Sequence, residues 1–183
     1  MKRHAFAVLA VLAFSLALVQ AQQPAAKKSA VESKVTSTPQ WEKIKSLVGE
    51  WDGYASEAGQ KRSTHVSMRL TGDGSAVMHI IDAGTPHEMV TMFNMDQTEL
   101  LATHYCAAHN QPRLRAKSSA KPSEINFEFK DGTNIRPGDG HMSELTLTLV
   151  DADHHNETWG YTSNGKVDAG TFYMTRVKAA AKP

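Results

Sequence analysis

Side chains alternate along residues 65–70: Val66, Met68 and Leu70 fall on one side of an extended chain, and His65, Ser67 and Arg69 on the other. Successive residues of a strand point to opposite faces, so this period of two marks a half-buried strand. It recurs with Ile125, Phe127 and Phe129 set against Glu124, Asn126, Glu128 and Lys130, and with Leu145, Leu147 and Leu149 against Glu144, Thr146 and Thr148. One apolar and one wet face suit a single wall better than a layer covered on both sides. Turn-forming residues punctuate the chain at Gly59-Gln60, Gly72-Asp73-Gly74, Ala83-Gly84-Thr85-Pro86, Met95-Asp96-Gln97, His109-Asn110-Gln111-Pro112, Asp131-Gly132, Pro137-Gly138-Asp139-Gly140, Asp151-Ala152-Asp153 and Asn164-Gly165. These nine breaks predict ten short strands, the spacing of an all-β sandwich or barrel. No helix-length amphipathic stretch interrupts them, so neighbours pair as a meander. A short helical lead-in, Gln40 to Leu47, comes before Gly49-Glu50-Trp51. The predicted fold is all-β: a single up-and-down antiparallel β-barrel of about ten strands with a short N-terminal helix. About eight strands already make an interior just filled by side chains, so this barrel should hold a lumen or flatten to remove it.

The amino-terminal residues belong to a different regime. Lys2 and Arg3 precede an almost wholly apolar run from Ala5 to Val19, and Val19-Gln20-Ala21 reads as a small-residue cleavage site. That is a signal peptide, residues 1–21, cleaved after Ala21 to give a secreted or periplasmic protein. The run is about 15 residues, short of the roughly 20 a spanning helix needs, so the mature form is predicted to lack a transmembrane segment. Residues 22–38 are rich in Ala, Lys, Ser, Thr, Gln and Pro without an aromatic, the composition of a disordered linker. The barrel domain then occupies residues 39–178, ahead of a short disordered tail at 179–183.

Charge narrows the partners. Losing the leader removes Lys2 and Arg3, leaving 18 basic residues against 19 acidic ones, a formal charge of −1. No basic block or aromatic-interleaved stripe is present in the sequence, which argues against nucleic acid. Cys106 is the sole cysteine, so an exported domain must be stabilised by its core rather than by an internal disulfide.

The Gly49-x-Trp51 opening, the ten-segment meander and Arg176 on the last strand together resemble the calycin superfamily of lipocalins, fatty-acid-binding proteins and nitrobindin-like haem barrels. That resemblance implies a tryptophan closing one end of the barrel, with an arginine from the last strand lying across it: here Trp51 and Arg176. Guanidinium on indole is a favourable cation–π pair in a desolvated plug. Glu88-Met89-Val90-Thr91-Met92-Phe93, Thr103-His104-Tyr105-Cys106 and Asn110-Gln111-Pro112-Arg113 are similar to a group of exported bacterial lipocalin-like proteins to which no enzymatic activity attaches.

Candidate chemistry is dispersed. His104 and Cys106 share a strand side with Leu100 and Ala102, read as the lumen side, and with His109 as a third donor they can ligate a soft or borderline metal. The plainer reading is a hydrogen-bonded histidine beside an inert thiol. Asn110 and Arg113, if they rim a cavity mouth, can recognise a carboxylate; otherwise Arg113 and Arg115 form a solvated outer face. His79 and His87 are each an alternative axial ligand for haem. His154-His155 reads as a polar turn. Trp159 and Tyr161, sharing a face with Glu157, can floor a pocket beside Phe172 or simply fill the core. Strand methionines, Met68, Met78, Met89, Met92, Met142 and Met174, suit an adaptable apolar lining.

The leading expectation is a non-enzymatic barrel for a small apolar or amphipathic molecule. Its walls would be Val66, Met68, Phe127, Leu147, Trp159 and Met174, with His104 and Asn110 as polar contacts. The second is a transition-metal or haem barrel on His104, with or without Cys106. The third is an enzyme acting on a ligand inside. The sequence holds no hydrolase elbow, phosphate loop or zinc-protease motif.

Overall fold

A computed structural model describes residues 36–178 of the chain. The proposed leader, most of the proposed linker and the tail at 179–183 lie outside the described residues.

Helix α1 (Pro39–Ser46) begins where Thr38 caps it, the Oγ1 accepting from the Trp41 N–H at 3.1 Å, with Pro39 at the first position. Its missing N–H is no loss there, because that donor has no partner within the helix. Trp41 and Ile44 form its buried side.

Ten strands follow: β1 (Gly49–Glu57), β2 (Gln60–Thr71), β3 (Ala76–Ile81), β4 (Met89–Asp96), β5 (Glu99–Tyr105), β6 (Gln111–Lys117), β7 (Glu124–Thr133), β8 (His141–Leu149), β9 (His154–Ser163) and β10 (Lys166–Arg176). Each pairs with its sequence neighbours, and β1 pairs with β10, with Trp51 opposite Arg176, closing the barrel. Closure leaves no strand edge to attract other chains. The alternation read from β2, β7 and β8 runs around the wall, so Trp51, Val66, Val77, Phe93, Leu114, Phe127, Leu145 and Met174 enter one buried core.

The strand number matches the prediction, yet two of its boundaries differ. Asp131-Gly132 is no turn; β7 passes through it. Gly132 pairs with Pro112, and a Cβ there would lie 2.9 Å from the Gln111 carbonyl oxygen and 2.5 Å from Ile135 Cδ1. The glycine serves close approach rather than reversal. The break actually lies at residues 118–123, between β6 and β7, a Ser-Ser-Ala-Lys-Pro-Ser stretch without glycine. Pro112 sits within β6 because β5 and β6 pair only over Leu101–Thr103 with Arg113–Arg115. Its absent N–H therefore costs that ladder nothing.

An up-and-down path places the turns after β1, β3, β5, β7 and β9 at one end. Helix α1 covers the other, where Gln40 Nε2 donates to the Lys117 carbonyl at 3.1 Å and Lys43 Nζ to that of Pro122.

Candidate functional site

The helix-covered end is sealed by Trp51 and Arg176. Trp51 is fully buried, and its indole N–H donates to the Leu47 carbonyl at 2.8 Å. The Arg176 guanidinium sits 4.0 Å from the centre of the Trp51 ring. It also donates to three carbonyls: Ser46 at 2.8 Å, Val48 at 2.9 Å and Ala152 at 3.0 Å. Gly49 allows this close packing: its φ is +142°, and a Cβ would lie 2.7 Å from Arg176 Nη1. A lysine has neither the planar fork nor five donors. Arg176→Lys is therefore expected to cost about 1–3 kcal/mol in chemical denaturation; an unchanged midpoint would show that the fork does not hold this end.

Above that plug the lumen contains a polar cluster between opposite walls. On β9, His155, Glu157 and Trp159 all point inward, and His79 reaches them from β3. His79 Nε2 lies 3.0 Å and 3.1 Å from the two Glu157 oxygens, His155 Nε2 3.0 Å from Oε1, and Trp159 Nε1 donates to Oε2 at 3.1 Å. A carboxylate only accepts, so both imidazoles present Nε2–H to it, and Nδ1 of each has no partner. Burial by itself would push the Glu157 carboxyl up. Charge interaction with His79, hydrogen bonds from His155 and His79, and the His155 charge outweigh it, holding the group well below the usual carboxylate range. His155 also meets the Trp51 ring edge to face at 4.2 Å, joining the cluster to the plug.

His104, on β5, packs beside Trp159 with ring centres 4.9 Å apart, and its Nδ1 lies 2.9 Å from Thr91 Oγ1. Its Nε2 is buried without a partner. An unpaired lone pair is cheaper than an orphaned N–H, so the pairing assigns the proton to Nδ1. Burial and the nearby His79 together bring His104 down to about 4, against a smaller opposing pull from Glu157.

The open end holds a cavity of about 480 Å³. Trp159, Tyr161, Phe172, Met89 and Met142 line its apolar part, and Glu57, Gln60, Arg62 and Asp168 its polar part. Gly170 leaves room in its wall: a Cβ there would meet nothing nearer than 3.7 Å. A second hollow, about 590 Å³, lies between Thr103, Tyr105, Gln111, Arg113, Asp131 and Thr133. It is a groove bounded by exposed groups, in which Arg113 Nε donates to Asp131 Oδ1 at 2.6 Å.

The structure brings Val66, Met68, Phe127, Leu147, Trp159 and Met174 into one core, but of these six only Trp159 reaches the cavity. The other five are packed in the buried core, away from the mouth. Asn110 and Arg113 do not form a shared head-group site: Asn110 is buried and donates to the Gly140 carbonyl at 2.8 Å, whereas Arg113 points outward to Asp131. Asn110 comes just before β6 and Arg113 lies within it, three positions on, so the two side chains enter different environments. His104 is inside the barrel. Cys106 lies beyond the end of β5, half-buried, with its backbone N–H donating to the Asn110 carbonyl at 3.1 Å. Among the described residues no group of three or more His, Cys, Asp and Glu is placed to hold a metal ion. Nor does the arrangement fit an iron porphyrin: neither imidazole nor thiol lines the cavity, and the free nitrogen of His104 is buried beside Trp159. His87 is exposed in the β3–β4 loop.

His154 and His155 are not a turn pair. His154 faces Asp151 outside, and His155 is fully buried. The His155–Glu157–Trp159 face was readable by alternation along β9. Its partner His79, 78 residues away from Glu157, had no local signal.

No protein-family model matches the chain, and none of the curated proteins matches it. Solved structures do. Rv2717c from M. tuberculosis aligns with a TM-score of 0.52 at 14% identity, covering 78% of this chain and all of that one. A protein of unknown function from the DUF3598 family, from Nostoc punctiforme PCC 73102, aligns with a TM-score of 0.53 at 14% identity, over 73% of this chain. This chain spans about half the length of the Nostoc protein, 48%. Similarity at this identity concerns the fold alone.

Proposed function

We propose that the protein is an exported, lipocalin-like container that binds a small apolar or amphipathic molecule at the open end of its barrel. The supporting observation is the cavity of about 480 Å³. Small-molecule sites of this kind are concave, mostly apolar and roughly 300–1,000 Å³, with a few polar groups that orient the ligand. Trp159, Tyr161 and Phe172 offer flat apolar contact, and the thioethers of Met89 and Met142 adapt to varied shapes. With the opposite end sealed, a ligand enters by the mouth. Export rests on the leader ending at Ala21, and residues 22–38 would serve as a tether.

Of the three tryptophans, Trp41 and Trp51 are buried at the far end and Trp159 alone lines the cavity. Titrating the mature protein with an apolar naphthyl probe should change its tryptophan emission, and Trp159→Phe should abolish the change. Gly170→Leu, which fills the cavity, should weaken probe binding at least about tenfold. A protein that takes up no probe, or a Trp159→Phe variant with an undiminished response, would remove this reading.

A further inference from the structure

The container reading leaves the ligand's head group open, and the inward-facing positions at the mouth bear on it. On β1 the inner face runs Trp51, Gly53, Ala55, Glu57; on β10 it runs Met174, Phe172, Gly170, Asp168. Both series change from apolar to acidic as they reach the rim, and both carboxylates line the cavity. The adjoining β2 contributes Gln60 and Arg62.

These charges are not equivalent. The Arg62 guanidinium is already paired with Asp82. That carboxylate is itself anchored, accepting from Thr64 Oγ1 at 2.8 Å and the His65 N–H at 2.9 Å. Glu57 and Asp168 have neither an ion pair nor a side-chain hydrogen bond among the described residues. Of the other cations at this end, Lys61 Nζ sits 4.5 Å from the centre of the Tyr54 ring, and neither Lys166, in the β9–β10 hairpin, nor Arg136, in the β7–β8 loop, is part of the lining. The cavity lining thus offers two uncommitted carboxylates, Glu57 and Asp168, and one guanidinium, Arg62, that is already paired.

Beneath them are three aromatic rings, Trp159, Tyr161 and Phe172, with the sulfurs of Met89 and Met142. Ring faces attract cations through their quadrupoles, and aromatic-lined pockets are a recurrent way to hold organic ammonium groups. A carboxylate-headed ligand would face two like charges, with the one lining guanidinium, Arg62, already paired to Asp82. A neutral hydroxylated head could donate hydrogen bonds to the carboxylates but would gain no charge attraction from them.

We propose that the mouth cavity selects amphipathic cations: an amine or quaternary ammonium head near Glu57 and Asp168, with its apolar portion against Trp159, Phe172 and the two methionines. This deepens the container reading and rests on it.

Three probes with the same tail separate the possibilities: decyltrimethylammonium, decanoate and decyl glucoside, each titrated below its micellar concentration while Trp159 emission is followed. The cation should bind at least about tenfold more tightly than either of the others. That preference should shrink as salt rises, since the rim is exposed and screened. Glu57→Gln with Asp168→Asn should erase the preference, bringing the affinity for the cation down to that for the glucoside. Both positions are exposed, so the double variant should fold, which its melting temperature checks. Equal or tighter binding of decanoate or the glucoside, or a preference that survives the double variant, would overturn the head-group assignment alone. Failure of all three probes would overturn the container reading and this inference with it.

Discussion

Replacing Glu157 with alanine is expected to cost about 3–5 kcal/mol of folding stability, the scale of removing one partner from a buried charged pair. The side chain is fully buried and accepts from His79, His155 and Trp159. Without it, three inward-pointing N–H groups lose their acceptor in a space too enclosed for easy hydration. Loss of side-chain volume adds a cavity term. Glu157→Gln separates these contributions. It keeps the volume and one acceptor oxygen, but turns an NH2 group toward donors that need an acceptor. Its cost should be smaller, about 1–3 kcal/mol. Equilibrium urea denaturation of both variants measures this directly. A loss below about 1 kcal/mol for the alanine variant would mean that the cross-lumen contact contributes little to holding β3 against β9.

Stability should also fall as the medium becomes acidic, beginning nearer neutrality than carboxylates alone would allow. His104 is buried and brought down to about 4 from an ordinary histidine value of 6.5. Between those values the unfolded chain binds a proton that the folded chain refuses, so each step down in pH favours unfolding. The contribution is complete above pH 6.5 and is lost as pH falls toward 4, a total of about 3–4 kcal/mol. Glu157 acts in the same direction at lower pH. Its stabilisation is complete above the ordinary glutamate value of 4.5 and is lost as pH falls below it toward the depressed folded value. His65 opposes both. Hydrogen bonding to Asp52, with help from Glu50, raises it, so its stabilisation is present below 6.5 and lost as pH rises through the folded value. Its side chain is 44% exposed, so that contribution is small. The informative comparison is His104→Gln, which removes the titrating ring. The difference between the two stability curves from pH 7 to 4 should show a slope approaching about 1.4 kcal/mol per pH unit. Parallel curves would mean that His104 takes up its proton equally well in both states.

These two effects come from the part of the molecule least visible along the chain. Strand number, the meander, and the inner positions of Val66, Phe127 and Leu147 followed from alternation and turn residues, which act between neighbours. So did the shared face of Glu157, Trp159 and Tyr161, whereas His155 reads as part of a turn and only the structure places it inside. The misplaced boundary at Asp131-Gly132 shows the limit of such signals. A glycine there permits Gln111 and Pro112 to approach, and only the facing strand distinguishes that from a turn. Resemblance pointed to Trp51 and Arg176, but their three-carbonyl clamp depends on where α1 ends and on the loop carrying Ala152.

Contacts across the lumen are settled by how the wall closes and how its strands are staggered. Those are properties of all ten strands at once. They bring His79 to Glu157, commit the lower lumen to packed side chains, and leave the free volume at the mouth, between Trp159 and the carboxylates of Glu57 and Asp168. Side-chain direction is a local consequence of the pleat; what stands opposite is not.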